Sequence, residues 1–295
     1  MLWQSGRRSS NVEDRRGMPM RGGRVVAGGM GGLGLIAVVV VALLLGVDPT
    51  MLLQQLDPSQ QGQYDPTSSQ APMEPGSETP QEAQMRDFVS AVLGSTEDSW
   101  ADIFQQQGAT YQDPQLVLFT GAVDSACGFA QSAVGPFYCP NDQKVYLDLS
   151  FFNDLATRFG AAGDFAQAYV IAHEIGHHVQ NLLGVMDQVA AERQRLDPAE
   201  ANALSVRVEL QADCLAGVWA NHADQMRGIL EPGDIDEALG AASAVGDDRI
   251  QQRTQGRIVP DAFTHGSSEE RMRWFRTGFD SGDVNACDTF GAARL

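Results

Sequence analysis

Ala172-His173-Glu174-Ile175-Gly176-His177-His178 is the stretch on which the reading of this chain turns. It lies in a run, 164–183, that reads as one helix. Four residues of an α-helix span slightly more than a turn, so His173 and His177 project from the same face. Two imidazoles placed that way can close on one tetrahedral Zn²⁺, and Glu174 then stands beside any water held in an open position. Such a site needs a third protein ligand. The segment Arg207-Val208-Glu209-Leu210-Gln211-Ala212-Asp213-Cys214 offers one, in a helical run from Pro198 to Ala223 with Leu204, Val208, Leu215 and Val218 as its apolar positions. Glu209 and Asp213 are about 40° apart on that helix and can face one site. Glu209 is the candidate ligand. Asp213 is the candidate acceptor for the far nitrogen of a ligand histidine. The plainer reading is that both acids line a solvated helix face.

Other candidates fit less well. His222 is thirteen residues beyond Glu209, about 220° around the helix. His178 is rotated about 100° from His177 and reads as a packing residue. Glu192 and Glu200 flank the turn at Asp197-Pro198 and read as solvated.

Four stretches carry a resemblance to a known family. They are Ala126-Cys127-Gly128-Phe129; Gly135-Pro136-Phe137-Tyr138-Cys139-Pro140 with Val145-Tyr146-Leu147-Asp148; the two helical segments above; and Phe263-Thr264-His265-Gly266-Ser267. Across about 85–290 the chain resembles the membrane-anchored bacterial proteins described as predicted neutral zinc metallopeptidases. The pairing of His-Glu-x-x-His with a later Glu-x-x-x-Asp also looks like the thermolysin-type zinc peptidases. The resemblance implies His173, His177 and Glu209 as ligands of one Zn²⁺ per chain, Glu174 as general base and Asp213 as the supporting carboxylate.

In such a mechanism the developing oxyanion needs a donor beyond the metal. His265, in a polar turn before a helix opening at Ser267, is the first candidate; its alternative is a capping or surface histidine. Tyr138 and Tyr146 are weaker candidates. Peptidases of this geometry hold substrate as an added strand. Lys144-Val145-Tyr146-Leu147-Asp148-Leu149 and Gln115-Leu116-Val117-Leu118-Phe119 are the strands available for that role, or else ordinary core strands.

Residues 25–47 contain no charged side chain and are long enough to cross a bilayer core of roughly 30 Å. Arg7, Arg8, Arg15, Arg16, Arg21 and Arg24 precede them, and no basic residue follows until Arg86. By the positive-inside rule this predicts a single-pass protein of the bacterial cytoplasmic membrane, with a cytoplasmic N-terminus over 1–24 and everything after Asp48 extracytoplasmic. A cleaved signal peptide is the alternative, disfavoured by the length of the run and by the lack of a small-x-small site. The stretch 48–84, rich in Gln, Ser, Pro and acids, reads as a disordered tether. That leaves 85–295 as one metallopeptidase domain.

The expected fold class is α+β, mostly helical and zincin-like with a small sheet. Helices are expected near 82–106, 150–158, 164–183, 199–223, 234–253 and 267–279, with short strands between 115 and 149. Ser267 and Glu270 form a capping box for the last helix. Cys127, Cys139, Cys214 and Cys287 all fall in the extracytoplasmic part, and an even count there suggests two disulfides. Three connectivities are possible; the favoured one is Cys127–Cys139 with Cys214–Cys287. The net charge of −18 excludes nucleic acid as a partner. The function expected is a membrane-anchored, zinc-dependent endopeptidase acting on extracytoplasmic proteins or peptides. The alternatives are a catalytically inactive zinc-binding scaffold for an envelope partner and a zinc amidase acting on cell-wall peptide.

Overall fold

The computed structural model describes residues 1–17 and 78–295. The apolar stretch 25–47 and residues 48–77 of the expected tether lie outside the described residues; the rest of the expected tether, from Pro80, is helix. Among the described residues no helix is long and apolar enough to cross a membrane.

In chain order the elements are β1 (Val12–Asp14), α1 (Pro80–Gln106), β2 (Gln115–Phe119), β3 (Ala122–Ser125), β4 (Gly128–Gln131), β5 (Phe137–Cys139), β6 (Lys144–Asp148), α2 (Ser150–Thr157), α3 (Asp164–Leu182), α4 (Val185–Arg193), α5 (Pro198–Arg227), α6 (Asp234–Ala244), α7 (Asp247–Gln255) and α8 (Ser268–Ser281). The result is α+β, mostly helical with a small sheet, as the sequence indicates. Helix ends follow local chemistry. Thr79–Glu82, Asp197–Glu200 and Ser267–Glu270 close capping boxes at the starts of α1, α5 and α8. Each satisfies two backbone donors that a helix start leaves free. Glu200 is therefore an exposed cap. α5 stops at Gly228, whose φ of 61° suits glycine.

The sheet runs in the order β1-β2-β6-β5, parallel except for the antiparallel β5–β6 pair, and β3 with β4 makes a separate hairpin. Both faces of the two central strands are covered. Leu116, Leu118, Val145 and Leu147 enter the main helical core, while Val117, Phe119 and Tyr146 pack with Cys139 and Val123 on the other side. That explains the unbroken apolar run in β2. Since β2 and β6 are interior, neither can receive an added strand as the sequence reading allowed. Among the described residues the edges are β1 and β5.

α3 and α5 approach to backbone contact. A Cβ on Gly176 would lie 2.8 Å from the Ala212 carbonyl oxygen, so only glycine lets the two helices meet there. α5 and α8 touch likewise at Gly278, where a Cβ would overlap the Cys214 carbonyl. Disulfides join Cys127 to Cys139 and Cys214 to Cys287, the favoured pairing. The first ties edge strand β5 to the β3–β4 hairpin; the second ties α5 to the C-terminal segment.

Three differences from the expected layout matter. The helix expected over 234–253 is two, broken at Val245-Gly246, so that Asp247 begins α7. The helix α4 was not anticipated; its single buried residue, Val189, gives it little apolar periodicity. Finally, residues 1–17 belong to the same compact unit as the domain, and β1 is a strand of its sheet. The folded unit therefore does not begin near 85.

Candidate metal centre

α3 presents His173 and His177 one turn apart, and α5 brings Glu209 across the Gly176 seam. Ligand atoms of the three residues all lie within 4.8 Å of one another. His173 Nε2 is 3.2 Å from Glu209 Oε2, and His177 Nε2 is 3.5 Å from Glu209 Oε1. Two imidazole nitrogens and a carboxylate converging from two rigid helices suit Zn²⁺. Among the described residues no fourth His, Cys, Asp or Glu joins this group. Structural zinc sites have four protein ligands, whereas catalytic ones have three.

The remaining ring nitrogens are tied down. Asp213 Oδ1 lies 2.8 Å from His173 Nδ1, which leaves Nε2 as the nitrogen that faces Glu209. Asp213 is wholly buried and fully engaged: it also accepts from the Tyr169 hydroxyl and from Arg271, Nε to Oδ2 at 2.8 Å and Nη2 to Oδ1 at 2.9 Å. His177 Nδ1 faces Gln180 Oε1 at 2.8 Å, and the Gln180 amide donates to the Val208 carbonyl and to Gln211.

Charge follows from that packing. Burial disfavours the charged form of His173, but Asp213 and Glu209 more than reverse this and raise its pKa to about 10. Burial likewise opposes charge on Glu209, and the two histidines overcome it, holding the carboxylate well below the usual range. Asp213, buried yet paired with Arg271 and His173, is lowered to about 2. Metal binding through His173 requires its neutral ring, so it is coupled to proton release. Glu174 differs: its burial raises its pKa.

His265 lies at the rim. Asp247 Oδ2 accepts from the backbone N–H groups of Thr264, His265 and Gly266, gripping the turn, while Asp247 Oδ1 lies 3.3 Å from His265 Nδ1. Pairing with Asp247 raises the His265 pKa, and the Glu209 charge adds to the effect. Its side chain is 52% exposed.

The other candidates are placed elsewhere. Tyr138 lies 3.0 Å from His178 Nδ1 and accepts from Asn181, while His178 Nε2 donates to the Gln112 carbonyl; this is packing behind α3. Tyr146 donates to Asp142. Neither tyrosine is an oxyanion donor. His222 binds the Gly282 carbonyl at the far end of α5.

The family model described as "Putative neutral zinc metallopeptidase" matches residues 1–290. This chain belongs to that family. It is 51% identical over 296 residues to the uncharacterized protein YpfJ of Escherichia coli (strain K12), covering 99% of each chain. It is 46% identical over 267 residues to the uncharacterized proteins Rv2575 of Mycobacterium tuberculosis (strain H37Rv) and Mb2605 of Mycobacterium bovis, covering 86% of each chain. No solved structure matches.

Four residues of the centre escaped the sequence reading: Tyr169, Gln180, Asp247 and Arg271. Tyr169 was findable, because it precedes His173 by one helical turn and shares its face. Gln180 follows His177 at the same kind of spacing. Asp247 and Arg271 come from separate helices, and nothing in their local sequence announces them.

Proposed function

We propose that this chain is a zinc-dependent endopeptidase that hydrolyses peptide bonds of proteins or peptides outside the cytoplasm. The observation that carries the reading is the convergence of His173, His177 and Glu209 on an open position beside Glu174. Zn²⁺ held by those three residues would supply Lewis acidity and an acidified water.

The chain's own groups do the rest. Glu174 takes a proton from the attacking water and returns it to the leaving amine. Tyr169, Asp213 and Arg271 hold His173 in one tautomer and orientation, and Gln180 does so for His177. His265 is the donor to the developing oxyanion. With Nδ1–H turned to Asp247, its Nε2 carries a proton only in the imidazolium form, which that pairing favours. β5 is the sheet edge that packs on α3, through Tyr138 and His178, and is the place for an extended substrate to add as a strand. The two disulfides support an oxidising compartment.

The test is a peptide-library digest by the full-length protein with Zn²⁺, with and without a chelator, alongside purified cell-wall fragments. Cleavage of peptides that stops with chelator and returns with Zn²⁺ is expected. Turnover of cell-wall fragments alone would move the activity to the amidase reading, and cleavage indifferent to chelator would remove the proposal.

A further inference from the structure

The arginine-rich N-terminus, read from sequence as a cytoplasmic tail, is built into the domain. Trp3 packs edge-on against Phe88 of α1 at 5.4 Å, and the Leu2 N–H donates to the Ile229 carbonyl at 2.8 Å. Arg8 makes a two-pronged pair with Asp87 at 2.8 and 2.7 Å. The Ser9 N–H donates to the Ser90 carbonyl and the Ser90 hydroxyl to the Ser9 carbonyl. A Cβ on Gly94 would stand 2.6 Å from the Arg7 carbonyl oxygen, so α1 is shaped to receive this segment.

Glu97 shows how far the domain depends on it. This carboxylate is 3% exposed, and its partners are Arg7 at 2.5 Å, the Ser9 hydroxyl at 2.5 Å and the Asn11 amide at 2.8 Å. All three belong to residues 1–17. Without them Glu97 would be a buried charge with no side-chain partner, a costly arrangement. β2 would also lose its neighbour β1 and expose an unpaired edge.

The segment's far end is fixed too. Arg16 pairs with Glu78 at 2.6 Å, so the chain between residues 17 and 78 starts and finishes at one place on the domain. Both ends of that stretch therefore lie on one side of any bilayer. A single crossing by 25–47 would instead separate residues 1–17 from 78–295 by a hydrocarbon core of roughly 30 Å. None of these contacts would survive it.

We infer that residues 1–17 dock on the catalytic domain from the same side of the membrane, completing it in cis, and that the basic N-terminus does not mark a cytoplasmic end. Arg7, Arg8 and Arg16 are neutralised by Glu97, Asp98, Asp87, Asp14 and Glu78, which removes much of the charge asymmetry on which the positive-inside reading stood. The inference is independent of catalysis. It locates the substrate on the side where the N-terminal segment lies.

The experiment uses the full-length chain in intact cells. All four native cysteines are paired, so a single introduced thiol can be followed. Ser10→Cys places one on the exposed part of the N-terminal segment, and Phe129→Cys places one on the exposed hairpin. A membrane-impermeant maleimide is expected to label both variants to the same extent, before or after permeabilisation. Labelling of one in intact cells and of the other only after permeabilisation would overturn the inference. A second measurement uses Ser9→Cys with Ser90→Cys in isolated membranes treated with oxidant. A linked peptide spanning positions 9 and 90 is expected, and none would likewise overturn it. Neither readout depends on peptidase activity, so failure here is distinct from failure of the proposed reaction.

Discussion

The wall behind His173 and the rim beside it are built on opposite principles. In the wall, Asp213, Tyr169 and Arg271 are buried and bonded to one another. At the rim, Asp247 grips a turn and His265 reaches into solvent with half its surface exposed. The same pair, carboxylate and imidazole, occurs in both places. Inside, it holds an imidazole in one orientation; outside, it leaves one open to solvent. Burial decides which of the two an aspartate–histidine pair becomes.

The largest effect separates both regions from the chemistry between them. Glu174→Gln should lower turnover on the order of 10⁴-fold by removing the base, while metal analysis still finds one zinc per chain. A fully active variant would dissolve the distinction between holding the ion and using it.

His265→Ala tests the rim alone. A loss of about 10²–10³-fold in kcat is expected for one oxyanion donor, with KM and zinc content little changed. The pH profile gives the sign. Asp247 raises the His265 pKa, so the imidazolium persists to higher pH than in a free imidazole, and activity falls as pH rises through that raised value. This alkaline limb should vanish in His265→Ala; a profile that keeps it would assign the limb to another group.

Asp213→Asn tests the wall. Zinc affinity should weaken about 10–100-fold, the range for a supporting hydrogen bond behind a ligand histidine, and competition with a metal indicator measures it. The matching change at the rim, Asp247→Asn, should leave zinc affinity unaltered. Equal effects at the two positions would erase the contrast. The smallest effect is expected from Tyr138→Phe, which leaves His178 without its hydroxyl partner. About 1 kcal/mol of stability should be lost, by denaturant unfolding, with turnover unchanged.

How much of this was legible depended on whether the partners lie along one element. His173, Glu174 and His177 are read directly from helical spacing, and Glu209 with Asp213 from a second helix at the same spacing. Tyr169 could have been added by the same rule. Arg271 and Asp247 reach the centre only through the packing of α8 and α7 on α5 and α6. The break that frees Asp247 hides in Val245-Gly246, inside what reads as one continuous helix. β2 and β6 announce themselves as apolar strands, but their apolar runs do not say which strands lie at the edge. The N-terminal arginines were the hardest, because a run of positive charge looks the same whether it meets lipid headgroups or the acids of its own domain.

The meeting of Gly176 with Ala212 leaves no side chain between the two helices that carry the ligands. The spacing of the two helices at that point is thus set by main chain, which has far less give than a layer of leucines. One added methyl at that seam would act as a shim, prising the carboxylate from the imidazoles and favouring a larger ion over zinc.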